Sequence, residues 1–257
     1  MINKIFSLIS NLKINNLIQK YDNFIFISPH LDDAVFSASL LIDKLSAKNV
    51  SVVTVFTEDD RGPYTKQITD YIKNCGFKTS KSFFKQRRKE DQEALKFLDA
   101  KAYHLGFIDA GWRKDKKRNQ VYKDGLSLTS GEINKLDTQI EKAILTKLKK
   151  LIPKVGNTLL ICPLGIGSHV DHILVNKVSS NISLPKIYWQ DYPYNLNKSA
   201  VDDFFAKNKD YHLILNLRIN FSKKVKAILK YTSQIKSVFS KKGVENIPER
   251  FYIRNQI

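Results

Sequence analysis

The sequence predicts an α/β fold: a doubly wound, mostly parallel sheet with helices on both faces. Three observations carry this expectation. Short apolar, β-branched runs recur at Phe24–Ile27, Val50–Phe56 and Thr158–Cys162, each bounded by turn residues as buried strands are. Longer stretches between them place apolar residues at helical spacing. Strand-like and helix-like segments alternate along the chain, which is the pattern of crossover units that build a parallel sheet.

The elements follow in order. Residues 1–20 read as an amphipathic helix with Ile2, Ile5, Phe6, Ile9 and Leu12 on one face. Lys4, Asn11, Lys13, Asn15 and Asn16 interrupt it, and no small-residue cleavage site follows. The helix either packs on the domain or lies on an anionic membrane surface. No run reaches the roughly 20 apolar residues of a membrane span. Phe24–Ile27 is a strand ending at Ser28-Pro29, Ala34–Ala47 a helix and Val50–Phe56 a second strand. Thr57–Thr79 is a long polar loop with a helical portion, and Phe83–Leu98 is a helix with a basic start. Ala102–Leu105 is a third strand, and Arg113–Gly125 a charged surface loop or lid.

Ser130–Leu151 reads as a helix with Ser130 as N-cap and Glu132 close behind. Thr158–Cys162 is a strand, Asp171–Ser180 a helix and Lys186–Trp189 a strand. Asp202–Asn208 is helical, Tyr211–Leu217 an alternating strand and Phe221–Phe239 a last helix. No repeat or linker divides the 257 residues, so a single domain over 1–257 is expected.

Composition narrows the class. An apolar fraction of 42% with 11% aromatic residues suits a packed core. Cys75 and Cys162 form no CxxC pair, which excludes a cysteine zinc site and points to free thiols in a reducing, cytoplasmic setting. Cys162, at the end of an apolar strand, is expected in the core. The net charge of +18 is spread over short clusters at Lys85–Lys89, Arg113–Arg118 and Lys147–Lys150. No zinc-finger spacing or RNP-like aromatic stretch accompanies them, so nucleic acid is not the expected partner. A solvated surface, an anionic substrate or peripheral contact with an anionic membrane fits this charge.

Two segments carry chemistry. Ser28-Pro29-His30-Leu31-Asp32-Asp33 directly follows the first strand, where open α/β sheets bind ligands. Two adjacent aspartates repel unless a cation or donors separate their tasks; otherwise one of them caps the helix that begins near Ala34. Gly165-Ile166-Gly167-Ser168-His169-Val170-Asp171-His172 follows a later strand, with His169 and His172 three apart at a helix start. Three of the five histidines lie in these two segments. Together they offer nitrogen and oxygen donors that suit zinc with an open water position, plus a spare carboxylate and a spare imidazole.

These segments resemble the PIG-L (LmbE-like) family of zinc-dependent N-acetylglucosaminyl deacetylases. The His-x-Asp-Asp motif is His30-Leu31-Asp32-Asp33, and the His-x-Asp-His motif is His169-Val170-Asp171-His172. Further likenesses are the Arg87-Arg88-Lys89-Glu90 helix, Leu105-Gly106-Phe107-Ile108-Asp109, Trp189-Gln190-Asp191-Tyr192-Pro193-Tyr194, Lys226–Gln234 with Tyr231 and Ser233-Gln234, and the late Glu249-Arg250-Phe251-Tyr252.

The resemblance implies a Rossmann-like fold, with His30, Asp33 and His172 binding Zn2+ (Fe2+ fits the same donors). Asp32 would be the general base, and His169 the acid or oxyanion stabiliser, oriented by Asp171. Arg87, Asp109, Tyr192 and Tyr194 would contact substrate. Leu31 stands where the family usually has Pro. Gly167 stands where some members carry a tyrosine, so any role of that hydroxyl is lost or supplied elsewhere. The implied reaction removes acetyl from an N-acetylated amino sugar, free or carried on a nucleotide or lipid. A non-catalytic binder of anionic glycan, lipid or nucleic acid, and a metal hydrolase of another bond, are the competing readings.

Overall fold

The computed structural model describes residues 12–218, 221–239 and 243–255. The first described element is helix α1 (12–20); Ile14 on it is buried and Leu12 exposed. The expected apolar positions Ile2, Ile5, Phe6 and Ile9 lie outside the described residues. No helix among the described residues is long and apolar enough to cross a membrane.

A seven-stranded sheet follows. Its strands are β1 (Asn23–Ser28), β2 (Asn49–Glu58), β3 (Lys101–Ile108), β4 (Thr158–Pro163), β5 (Lys186–Trp189), β6 (Tyr211–Leu217) and β7 (Glu249–Arg254), in the spatial order β3-β2-β1-β4-β5-β7-β6. The first five pair in parallel, and β7 pairs antiparallel with both β5 and β6. The mostly parallel α/β sheet expected from the sequence is therefore present.

Why both faces are covered is visible in β1. Its side chains alternate: Phe24 and Phe26 join one apolar cluster, and Ile25 and Ile27 join another. The first cluster holds α2 (Asp33–Lys44), α4 (Ser80–Phe97) and α9 (Phe221–Ile228); the second holds α6 (Asp137–Leu151) and α7 (Val170–Ser180). A strand buried on both faces must be apolar throughout, as Phe24-Ile25-Phe26-Ile27 is. Cys162 on β4 is fully buried in the second cluster, and both cysteines are free.

The chain runs outward from β1 to β2 and β3, then returns to lay β4 on the other side of β1. The loops after β1 and β4 leave in opposite directions and open a crevice between them, the place where such sheets hold ligands. The two chemical segments occupy those two loops.

Several expected elements differ in extent. The helical portion of Thr57–Thr79 is α3 (Lys66–Asn74), with Thr65 capping it. After the one-turn helix α5 (Gly125–Leu128), the helix expected from Ser130 begins instead at Asp137. Ser130 precedes Gly131, whose φ of +76° turns the chain away and whose N–H donates to the Ser168 carbonyl. Residues 130–136 thus serve the neighbouring loop rather than a helix. The expected Asp202–Asn208 helix is α8 (Lys198–Lys207), entered through the Asn197 cap.

The helix expected over Phe221–Phe239 is two, α9 and α10 (Thr232–Val238). Long-range capping breaks it. Glu90 of α4 accepts from the Ser233 N–H and the Thr232 hydroxyl, and Asp91 accepts from the Tyr231 hydroxyl at 2.7 Å.

The last strand, β7, was not expected as an element. Its Glu249 is buried, accepts from the Leu40 and Leu41 amides inside α2, and pairs with buried Lys224 of α9 at 2.9 Å. Burial pushes the Glu249 carboxyl up, opposed by the Lys224 charge. Removing one member of such a pair strands the other charge in the core. Lys224→Met should therefore lower stability by about 3–5 kcal/mol in urea unfolding.

Candidate functional site

The β1–α2 turn is stapled by Ser28, whose hydroxyl donates to the His30 carbonyl at 2.8 Å and accepts from the Ala34 N–H at 3.1 Å. Leu31, in the family's proline position, buries itself against Phe83, Phe84 and Trp112. The unusual backbone falls on Asp32, at φ 153° and ψ −34°. Asp32 holds the N-cap position yet makes no capping bond; its carboxylate accepts instead from the Arg87 guanidinium at 3.2 Å. Helix capping therefore does not explain the paired aspartates.

The two carboxylates have unlike surroundings. Asp33 Oδ2 accepts from the His30 backbone N–H at 2.8 Å and lies 3.2 Å from both His30 Nδ1 and His172 Nε2. Burial works to raise Asp33, but the charge of His172, with the charge and hydrogen bond of His30, outweighs it and holds the carboxyl well below the usual range. Burial pushes Asp32 up to about 7, against the Arg87 charge and with that of Asp33.

The β4–α7 loop supplies the other half. Gly165 and Gly167 both have φ of +87°, which turns the chain sharply before His169. His169 is the N-cap of α7, its Nδ1 accepting from the Asp171 backbone N–H at 3.3 Å. With Nδ1 accepting, the ring proton sits on Nε2. Burial, together with His30 and His172, holds His169 well below the usual imidazole range, so it is neutral.

The carboxylate of Asp171 was expected to orient His169. It is fully buried and serves other groups: His30 Nε2 at 3.0 Å, the Ala110 N–H at 2.9 Å, and Arg113. The contact with His169 is made by the Asp171 backbone.

His172 is fixed from behind. Its Nδ1 lies 2.8 Å from Asp191 Oδ1, while Asp191 Oδ2 accepts from the Gly165 and Ile166 amides at 2.8 and 2.9 Å. Burial works to lower His172, but Asp33 and Asp191 lift it to about 9. Although Nε2 lies 3.2 Å from Asp33 Oδ2, the direction is wrong for a hydrogen bond, and this buried nitrogen has no hydrogen-bond partner among the described residues. A ring held by a carboxylate at one nitrogen, with the other nitrogen unsatisfied among carboxylate and imidazole donors, fits a metal ligand.

His30, His169 and His172 can each bring one ring nitrogen within 4.8 Å of the others, and His30, Asp109 and Asp171 form a second such group. The trio expected from sequence, His30, Asp33 and His172, meets instead at the shared Asp33 oxygen.

A cavity of about 450 Å³ opens over this centre, lined by His30, Asp32, Asp33 and His169 together with Arg87, Asp109 and Tyr194. The expected substrate residues are thus not equivalent. Arg87 lines the cavity, but its guanidinium is committed to Asp32 and the Leu31 carbonyl. Asp109 reaches the cavity from the end of β3, one oxygen accepting from Gly111 N–H and the other 3.6 Å from His30 Nε2. Tyr194 crosses His172 edge-on, with ring centroids 5.4 Å apart.

Tyr192 needs correcting. It is buried away from the cavity, its ring tilted against Phe239 at 5.8 Å, with its hydroxyl accepting from the Glu245 N–H at 3.0 Å. It packs the core and does not face the cavity.

Gly167, where some relatives would carry a tyrosine, has its side-chain space filled. A Cβ there would lie 2.2 Å from Tyr194 Cδ1. Gly167→Ala should cost about 1–3 kcal/mol for the left-handed backbone alone and displace the Tyr194 ring. Thermal unfolding measures the first effect, and a raised KM the second.

Five further residues, not expected at the site, contribute to it. Asp191 follows β5 as His30 follows β1, and that position was the available signal. Arg113, expected in a surface loop, is buried and pairs with Asp137 at 2.6 Å as well as with Asp171. Gln234, Ser237 and Val238 of α10 also line the cavity; Gln234 lies in the segment that resembles the family's C-terminal end, and nothing in the spacing marks the other two.

Comparison with known proteins identifies the family. Residues 25–183 match the PIG-L family model, described as GlcNAc-PI de-N-acetylase. A 2'-N-acetylparomamine deacetylase of Streptomyces fradiae is 25% identical over 185 residues, covering 69% of this chain and 60% of that protein. One of Niallia circulans is 24% identical over 257 residues, covering 87% and 85%. Among solved structures, a deacetylase of teicoplanin biosynthesis, bound to teicoplanin, superposes with a TM-score of 0.72 at 22% identity, covering 91% of this chain and 100% of that one. An N,N'-diacetylchitobiose deacetylase from Pyrococcus horikoshii gives 0.55 at 17% identity, covering 98% and 91%. With well over half its length matched by the family model, and both family motifs placed in one crevice, the chain belongs to the PIG-L, GlcNAc-PI de-N-acetylase, family.

Proposed function

We propose that this chain is a zinc-dependent N-deacetylase that converts an N-acetylated amino sugar to the free amine and acetate. The observation that carries the reading is the division between two adjacent carboxylates over one cavity. Asp33 lies among imidazoles beside the unsatisfied His172 Nε2, whereas Asp32 lies against Arg87. The compounds for which the relatives are named, acetylated paromamine and diacetylchitobiose, support an amino-sugar substrate.

In this proposal His30, Asp33 and His172 hold the metal, with Asp191 and Asp171 bracing the two histidines. Zinc bound there would lower the pKa of a water and draw charge from the acyl oxygen. Asp32 takes the proton of the attacking water as its oxygen bonds to the acetamido carbon. The Nε2–H of His169 donates to the oxyanion that develops on the former carbonyl. The C–N bond then breaks, Asp32 returns its proton to the departing nitrogen, and acetate and amine are left.

Arg87 acts as a positioning residue, holding the Asp32 carboxylate in its strained turn. Asp109 accepts from a sugar hydroxyl, and the Tyr194 ring supports the sugar.

A mass-spectrometric screen of N-acetylated sugars, glycosides and sugar nucleotides with zinc added tests the proposal. At least one compound should lose its acetyl group with stoichiometric acetate, and no loss across the panel with a fully metallated chain would sink it.

A further inference from the structure

The crossovers return the chain to the edge of the sheet opposite the crevice. Strands β1 to β5 run in parallel, and β6 runs with β5 because β7 is antiparallel to both. The helices that lead into these strands therefore end together at that edge. It lies one strand length from the catalytic turns, about 20 Å for the six residues of β1.

Four of the crossovers each place two lysines there. Lys44, Lys96, Lys150 and Lys207 occupy the last turns of α2, α4, α6 and α8. Lys48, Lys101, Lys154 and Lys209 follow them, before or at the start of the next strand. Seven of the eight are exposed and Lys48 is half-buried. None pairs with a carboxylate or donates a side-chain hydrogen bond among the described residues. A lysine in a last turn complements the helix dipole, but that field fades within the turn and leaves the second lysine of each crossover unaccounted for. Of the four carboxylates in the same stretches, Asp43 is neutralised by Lys223 and Asp210 by Arg254, which leaves Asp22 and Asp99 against eight lysines.

The lysines extend from the strand at one side of the sheet, β3, to the strand at the other, β6, about 30 Å at ordinary strand spacing. Such a broad row of point charges fits a planar anionic surface. Nucleic-acid sites favour arginine forks and stacked aromatic platforms, and all eight charges here are lysines. Val155, 84% exposed between α6 and β4, and Tyr103, 40% exposed near the start of β3, set an apolar and an amphipathic side chain among them. Both kinds of side chain are at home at the headgroup boundary of a bilayer.

We infer that this lysine edge docks the protein on an anionic lipid surface, with the crevice turned to the solvent. The inference stands apart from the deacetylase reading, because no residue of the catalytic site takes part in it.

Flotation of the full chain with two kinds of vesicle tests it: phosphatidylcholine alone, and an equal mixture of phosphatidylcholine and phosphatidylglycerol. The chain should float only with the anionic vesicles, and added salt should release it as the screening length shortens. Lys44→Gln, Lys48→Gln, Lys150→Gln and Lys154→Gln combined should weaken vesicle binding by about 100-fold or more, since each lysine near such a surface contributes about fivefold. Thermal unfolding of that variant should match the parent chain. Lys81→Gln, Lys85→Gln, Lys116→Gln and Lys117→Gln combined remove the same charge from exposed positions at the catalytic end and should weaken binding by less than about fivefold. Absence of binding to anionic vesicles, equal binding to neutral ones, or equal losses in the two combined variants overturns the inference. Tighter binding to a DNA duplex, lost in the edge variant, also overturns it and assigns the edge to nucleic acid.

Discussion

Asp32→Asn should lower kcat for acetate release by about 10²–10⁴, the usual contribution of a positioned general base, while metal content stays unchanged. The side chain keeps its size, and its amide oxygen can still accept from Arg87, which reaches Asp32 at 3.2 Å. The variant loses only the capacity to take a proton. Arg87 is buried and would lose its charged partner, but the retained hydrogen bond should keep the cost below the roughly 3–5 kcal/mol of a fully broken buried pair. Acetate release, metal analysis and thermal unfolding on one preparation separate these effects. Near-normal kcat with a normal metal load would remove Asp32 from the mechanism.

His172→Ala should have a comparably large effect through a different route. It removes the one nitrogen left unsatisfied among the described residues of the metal-facing group, so bound zinc should fall from about one per chain to a small fraction, as expected on losing one of three protein ligands. Activity should fall with it and be restored only partly by excess zinc. Asp191→Asn should act on the same quantity more mildly, about 10–100-fold in metal affinity, because it disturbs the bond that orients the His172 ring. A stoichiometric metal load in His172→Ala would show that the ligand set lies elsewhere, with the His30, Asp109 and Asp171 group as the next candidate.

Much of the architecture was legible because strand burial on both faces leaves a local mark. Phe24–Ile27 and Thr158–Cys162 are apolar at every position, and the structure places them side by side as β1 and β4. The paired motifs were legible for the same reason: each follows one of these central strands. What was not legible depends on partners distant in the chain. The break at Tyr231 comes from Glu90 and Asp91, about 140 residues away, and nothing local in Phe221–Phe239 overrides its helical spacing. Arg113 begins a cluster of lysines and arginines that reads as solvated, and only Asp137 and Asp171 show it to be interior. Tyr192 and Tyr194 flank the same proline and look interchangeable in sequence. The chain direction after β5 sends one into the core and the other over His172.

The placement of β7 between β5 and β6 has a consequence for the order in which the molecule can be completed. During synthesis β6 leaves the ribosome before β7, the strand it pairs with, so it has no neighbour in the sheet until β7 follows. The same late segment carries Glu249, which grips the amides of Leu40 and Leu41 midway along the helix that begins at Asp33. The helix that follows the β1–α2 turn is therefore held by a residue made 209 positions after Leu40, and a nascent chain holds both motifs before that grip forms.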